Sequence, residues 1–231
     1  MIKLGIVDLT SLGQTIDRID ESLFNGRVLS KSNLEEAAKW LATRQGLPGS
    51  YANMFAPMDA DMANGERVFT GEVISSKVGI RHVLGEETCR TLIRLNVADP
   101  LVRDSLGRAT AGMLERLRTY QTGDEAQGFY CCGSCSVAYW RHIAAGGLDK
   151  NEERLLSGLK VLKSLRAGQG KWRRFPFYYT LLALNEIDLK PAREEMRYAG
   201  PILESHLIRA KHGDIYAERR RRLFKEILAK C

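Results

Sequence analysis

The chain has 231 residues, 44% of them apolar, and a formal net charge of +7. That length and apolar content suffice for one domain with a sizeable core, and they exclude a disordered or collagen-like chain. No stretch approaches the roughly 18 apolar residues of a membrane span, and five cysteines without scaffold spacing are expected to be reduced thiols in the cytoplasm.

Residues 1–31 form an irregular N-terminal segment in which Ile16, Ile19, Leu23 and Phe24 fit one helical face. Helical hairpins are expected over 32–187. Ser32 with Glu35 reads as a capping box, and Leu34, Ala37, Ala38 and Leu41 then recur at helical spacing. Residues 52–78 hold Pro57, Asp59, Asp61, Gly65 and Gly71 without a sustained period, and so long an irregular stretch usually serves function. Helix resumes near Gly79 and reaches Leu95, and Asp99-Pro100 opens a further helix to about Tyr120. Its partner begins around Cys131 and stops at Gly146-Gly147. Asp149 with Glu152 is read as the cap of a helix carrying Leu155, Leu159 and Leu162, and 177–187 is its partner. Residues 188–231 supply two more helices, one from Pro191 to near Lys211 and one from the Asp214 cap to about Lys230. The expectation is a single all-α domain of about nine helices, with no sheet.

A loop phrase recurs three times as glycine, any residue, aromatic: Gly49-Ser50-Tyr51, Gly128-Phe129-Tyr130 and Gly170-Lys171-Trp172. Gln45 and Arg166 each stand four residues before their glycine, with Leu41 and Leu162 four earlier again, while Gln121 lies further from Gly128. Such self-similarity marks stacked helical hairpins, because one hairpin cannot bury its own apolar face. Over roughly 32–187 the pattern resembles the repeat of the α/α-toroid superfamily of squalene-type cyclases and protein prenyltransferase β subunits. The resemblance implies an open arc or incomplete barrel of stacked hairpins. The acidic motif of the cyclases is matched only in part by Asp59-Ala60-Asp61-Met62, which argues against protonation-initiated cyclisation, and function does not follow from fold.

Arg81, His82, Glu86, Glu87, Cys89 and Arg90 are the densest run of ionisable residues in a helix that otherwise reads as buried. His82 and Glu86 are four apart and can touch, so His82 is the candidate acid or base and Glu86 its orienting partner. Asp59 and Asp61, with Thr70 and Glu72, lie on the long irregular segment and are candidates to close over that helix as a lid. Glu72, Arg81, Trp172, Arg173 and Arg174 are candidate ligand contacts, the last three because they mix cations with an aromatic at a helix entry. Cys132, Cys135, Tyr139 and His142 share one face of a continuous helix. Ten helical residues span about 15 Å, so Cys132 and His142 cannot hold one ion; Cys132 and Cys135 can, with further ligands from elsewhere. Packing cysteines are the plainer reading, and no cofactor is named.

Residues 207–231 contain eight Lys or Arg against three Asp or Glu, so most of the net charge belongs to the last helix. Its arginines 219–222 are expected on a solvent face opposite Leu223, Phe224 and Ile227. Three readings stay open: a concave pocket for a small, partly apolar ligand, with or without catalysis; a scaffold binding nucleic acid or an acidic protein through that basic face; and a homo-oligomer assembled through open repeat ends.

Overall fold

The computed structural model describes residues 5–63, 65–120, 128–209 and 213–231. In chain order the helices are α1 (Leu12–Phe24), α2 (Lys31–Ala42), α3 (Asp59–Ala63), α4 (Lys77–Leu95), α5 (Pro100–Tyr120), α6 (Gly133–Ala144), α7 (Asn151–Ser164), α8 (Phe177–Glu186), α9 (Lys190–Arg209) and α10 (Ile215–Lys230). Two antiparallel ribbons accompany them, β1 (Glu66–Arg67) with β2 (Val73–Ile74), and β3 (Arg166–Gly168) with β4 (Lys171–Trp172). The fold is therefore all-α, as expected. The two short ribbons and α3 are additions, all in segments too short for a period to be read.

Side-chain caps fix where several helices begin. Ser11, Ser30, Ser76 and Asp214 accept from the backbone N–H three residues on, satisfying donors that a helix start leaves orphaned. The cap of α2 is thus Ser30 and not Ser32, because Ser30 has the same offset to Asn33 and places Leu34 inside the first turn. Asp149 does not cap α7. Its carboxylate instead binds Arg154, at 2.6 Å from Nη2, and Lys150 takes the left-handed entry position. The expected roles of Gln121 and Lys211 lie outside the described residues.

Helices α4 and α6 pack along each other at the centre, with α1, α2 and α5 against α4, and α7 and α8 against α6. Helix α4 is buried nearly all round from Gly79 to Leu92. Ile80, Val83, Leu84 and Leu92 give it apolar anchors, each worth about 1.5–3 kcal/mol when fully buried. Helices α9 and α10 cover α8 from outside.

The three loop phrases are held differently. Gly49 and Gly170 adopt positive φ of 92° and 74°, where a side chain would be strained. Gly128 is required for a close approach, since a Cβ there would stand 1.9 Å from the backbone nitrogen of Gly158. Gln45 donates from Nε2 to the Asn53 carbonyl at 2.8 Å and accepts from Arg108 Nε at 2.6 Å, tying its own loop to α5. Arg166 pairs with Glu195 of α9 through both Nε and Nη2. The side chains four residues upstream therefore each bind the neighbouring hairpin.

The arginines of α10 form a solvent face only in part, since Arg222 is exposed while Arg219 is buried. Arg219 is 4% exposed, pairs with Asp17 and Glu21 at 2.7 Å and stacks on Phe69. Arg220 lies over the Tyr178 ring and donates to the Thr70 carbonyl, and Arg222 donates to Asn25 and Glu226. These long side chains clamp α10 to α1 and to the segment before β2, which the sequence pattern alone does not distinguish from solvation. No helix among the described residues is long and apolar enough to cross a membrane.

Candidate functional site

The α4–α6 interface carries two neighbouring polar clusters, built on the consecutive residues Glu86 and Glu87 of α4 and Arg141 and His142 of α6. In the first, Glu86 is fully buried between two histidines: His82 Nε2 is 3.3 Å from Oε1 and His142 Nδ1 is 2.6 Å from Oε2. Burial alone would raise the Glu86 pKa, but hydrogen bonds from His142 and His82 outweigh it and hold the carboxyl down to about 2. The outer nitrogens, His82 Nδ1 and His142 Nε2, are buried with no hydrogen-bond partner. Tyr51 stacks on the His82 ring at 4.4 Å, and Tyr130 meets it edge-on at 4.7 Å. The two tyrosine hydroxyls bond each other, and Arg116 Nε reaches both at 3.3 Å.

In the second cluster, Arg90 and Arg141 face Asp20, Glu87 and Glu186. Arg90 binds Asp20 at 2.8 Å and Glu186 at 2.6 Å; Arg141 binds Glu87 at 2.5 Å and Glu186 at 2.9 Å. Tyr179 donates its hydroxyl to Glu87 and lies under the Arg141 guanidinium. Burial would raise Asp20 and Glu186, but the two guanidinium charges win, so Asp20 stays below its usual range and Glu186 is held to about 2. For Glu87 burial prevails and the pKa goes up.

This second cluster is the floor of a cavity of about 400 Å³, walled by Leu23, Phe24, Phe69 and Leu182, with Arg94, Asn185 and Glu226 also lining it. Arg94 is exposed, and its ion pair with Glu186 is 3.8 Å, too long for a hydrogen bond. Its side chain is 37% exposed, and partial burial together with the neighbouring Arg90 charge lowers its pKa.

A third group sits where the chain enters α6. The Sγ atoms of Cys131, Cys132 and Cys135 lie within 4.8 Å of one another. Helix α6 begins only at Gly133, so Cys132 is its extended N-cap residue and not part of a helical stripe with Tyr139 and His142, contrary to expectation. Gly133 makes this entry possible, because a Cβ there would stand 2.0 Å from the Arg174 carbonyl oxygen. The Cys132 thiol is brought down to about 5 by its hydrogen bond with the Cys135 thiol, by the N–H groups of Cys135 and Ser134 and by the nearby imidazole of His82.

The structure brings His82 and Glu86 into contact and separates them from the other candidates. Asp61 accepts from Ser11 Oγ at 2.5 Å and from the N–H groups of Leu12, Gly13 and Met58, so it anchors the start of α1. Glu72 accepts from the N–H groups of Tyr178 and Tyr179 at 2.7 and 3.0 Å and so caps α8. Through these two carboxylates the 52–78 segment is a clamp between helices and not a lid. Asp59 and Arg81 are exposed. Trp172 is buried and donates Nε1–H to Glu195, Arg174 lies over Phe129, and Arg173 is exposed, so these three make no shared pocket with His82. The sequence reading did not connect Asp20, Arg141, His142 and Glu186 with this helix. Each is 45 or more residues from at least one of its cluster partners. Compared with protein-family models, curated proteins and solved structures, the chain matches none.

Proposed function

We propose that the protein binds a small, partly apolar ligand carrying an anionic group, in the cavity bounded by α1, α4, α6 and α8. The observation that carries this reading is Arg94, an under-paired guanidinium set beside an apolar wall and a charged floor. The floor itself is saturated: the Arg90 and Arg141 guanidiniums already hold carboxylates in hydrogen-bonded pairs. An incoming carboxylate or phosphate therefore finds its partner at Arg94, while its apolar body lies against Phe24, Phe69 and Leu182. The volume suits a ligand of roughly ten to twenty heavy atoms, at the small end of typical ligand clefts. His82 does not line this cavity, so acid–base catalysis by His82 forms no part of the proposal.

The test is thermal stability against octanoate, octyl phosphate and octanol. A ligand at one hundred times its Kd stabilises by about 2.7 kcal/mol, a readily measured rise in Tm. The acids are expected to raise Tm saturably, octanol is expected to do much less, and Arg94→Glu is expected to abolish the difference. An equal response in the R94E variant, or none to either acid in the wild type, would remove the reading.

A further inference from the structure

We propose that Cys131, Cys132 and Cys135 bind a thiophilic divalent metal, zinc by chemical class, with His82 Nδ1 as the fourth ligand. Tetrahedral zinc with Zn–S bonds of 2.3 Å sets sulfur atoms about 3.8 Å apart. The three Sγ atoms already lie within 4.8 Å of one another, so small side-chain adjustments complete a thiolate face.

Two features of the loop are unexplained by packing. Cys131 and Cys132 are exposed, so the buried-cysteine reading accounts only for Cys135. Cys131 also adopts φ of 58°, a left-handed conformation that disfavours a non-glycine residue, and this turn accompanies the convergence of the three sulfurs. Cys132 at the N-cap and Cys135 in the first turn then present the C-x-x-C spacing that a metal site uses.

His82 supplies an independent observation. It is 1% exposed and its Nδ1 has no hydrogen-bond partner, a deficit that a buried polar atom rarely carries. Its Nε2–H donates to Glu86, which fixes the tautomer and leaves the Nδ1 lone pair available, and Glu86 is in turn held by His142. A carboxylate behind an imidazole is the arrangement that orients a metal-binding histidine. The His82 ring packs on Tyr130, the residue immediately before Cys131, which places it beside the loop but outside the cluster of three sulfur atoms, so the exposed Cys131 and Cys132 side chains turn toward Nδ1 to complete the set. Three thiolates and one neutral imidazole form a closed set, the chemistry of a structural site that ties the entry of α6 to α4.

The experiment is metal analysis of the full chain purified under reducing conditions, followed by exchange with Co(II). One zinc per chain, and a cobalt spectrum with thiolate charge transfer and tetrahedral d–d bands, is the expected result. Cys131→Ser and Cys132→Ser alter exposed positions and should keep the wild-type circular dichroism while losing stoichiometric metal. H82Q should shift the cobalt bands and weaken retention at least tenfold against a chelator. Absence of metal together with no cobalt binding by the reduced protein would overturn the proposal, as would metal that survives the C131S/C132S double substitution. Unchanged cobalt bands in H82Q would remove His82 from the ligand set.

Discussion

The two ends of the α4–α6 interface use the same helices and reach opposite solutions to burying polar groups. At the arginine end the two guanidiniums and the carboxylates of Asp20, Glu87 and Glu186 satisfy one another, and Tyr179 donates to the same Glu87 oxygen that accepts from Arg141. At the histidine end one carboxylate serves two imidazoles, and an imidazole nitrogen on each side is left without a partner. A saturated network has nothing further to offer a ligand and acts as a rigid floor. An unsaturated one is destabilising as it stands and becomes favourable when something occupies it.

The largest expected effect comes from breaking the saturated end. Arg141→Met leaves Glu87 without its 2.5 Å partner and removes one of two cations facing Asp20 and Glu186, so a loss of about 3–5 kcal/mol in denaturant unfolding is expected. A loss below about 1 kcal/mol would show the network to be far less coupled than its geometry. Glu86→Gln at the other end should cost less, about 1–3 kcal/mol, since the amide still accepts one hydrogen bond. The pH dependence tests the Glu86 assignment by itself, against a background that Glu186 and Asp20 share. Glu86 titrates near 2 in the folded state, below its ordinary 4.5, so its contribution is fully present above about 4.5 and is lost as pH falls toward 2. E86Q should therefore show a shallower loss of stability than the wild type across that acid window, and parallel curves would contradict the assignment.

What could be read from the sequence followed the range of the interaction. The His82–Glu86 contact is one helical turn and was legible from i,i+4 spacing alone. Helices α4, α5, α8 and α10 are legible by apolar period, and α5 and α10 also by Pro100 and Asp214 at their starts. The partners of that turn were not legible, because His142 and Arg141 come from a helix some 50 residues away, and a lone histidine in an apolar stripe carries no address. Asp61 and Glu72 looked like free loop acids because their donors are backbone N–H groups, which leave no mark in a sequence. Arg219 looked solvated for the related reason that Asp17 and Glu21 lie some 200 residues earlier.

Glu66 sharpens the comparison, since it is a buried carboxylate for which burial outweighs every compensating contact. Its side chain fills the space over Gly13, and burial together with the nearby charge of Asp61 pushes its pKa up to about 7. The folded state then holds a proton that the unfolded chain releases near 4.5, so wild-type stability should fall as pH rises from about 4.5 to 7. Glu66→Gln keeps the shape without the titration. It should flatten that slope and leave the variant about 1–3 kcal/mol more stable, relative to wild type, at pH 8 than at pH 4. A slope unchanged by E66Q would mean that the carboxyl is solvated at neutral pH.

The smallest effect on stability is expected at Arg94, and that is what makes it the most informative position in the cavity. Its ion pair with Glu186 is long and partly in water, so Arg94→Ala should change unfolding free energy by no more than about 0.5 kcal/mol. If the floor beneath it is a closed structural network, removing Arg94 leaves the Arg90 and Arg141 contacts intact, and the free protein is unaltered. If the cavity receives an anionic ligand, the same substitution removes a cation that no hydrogen-bonded carboxylate holds among the described residues, and the octanoate-dependent rise in Tm should disappear. A variant with wild-type stability and no ligand response separates binding from folding, which no substitution at Arg90, Arg141 or Glu186 can do, because Glu186 holds both arginines and each arginine also holds a second carboxylate.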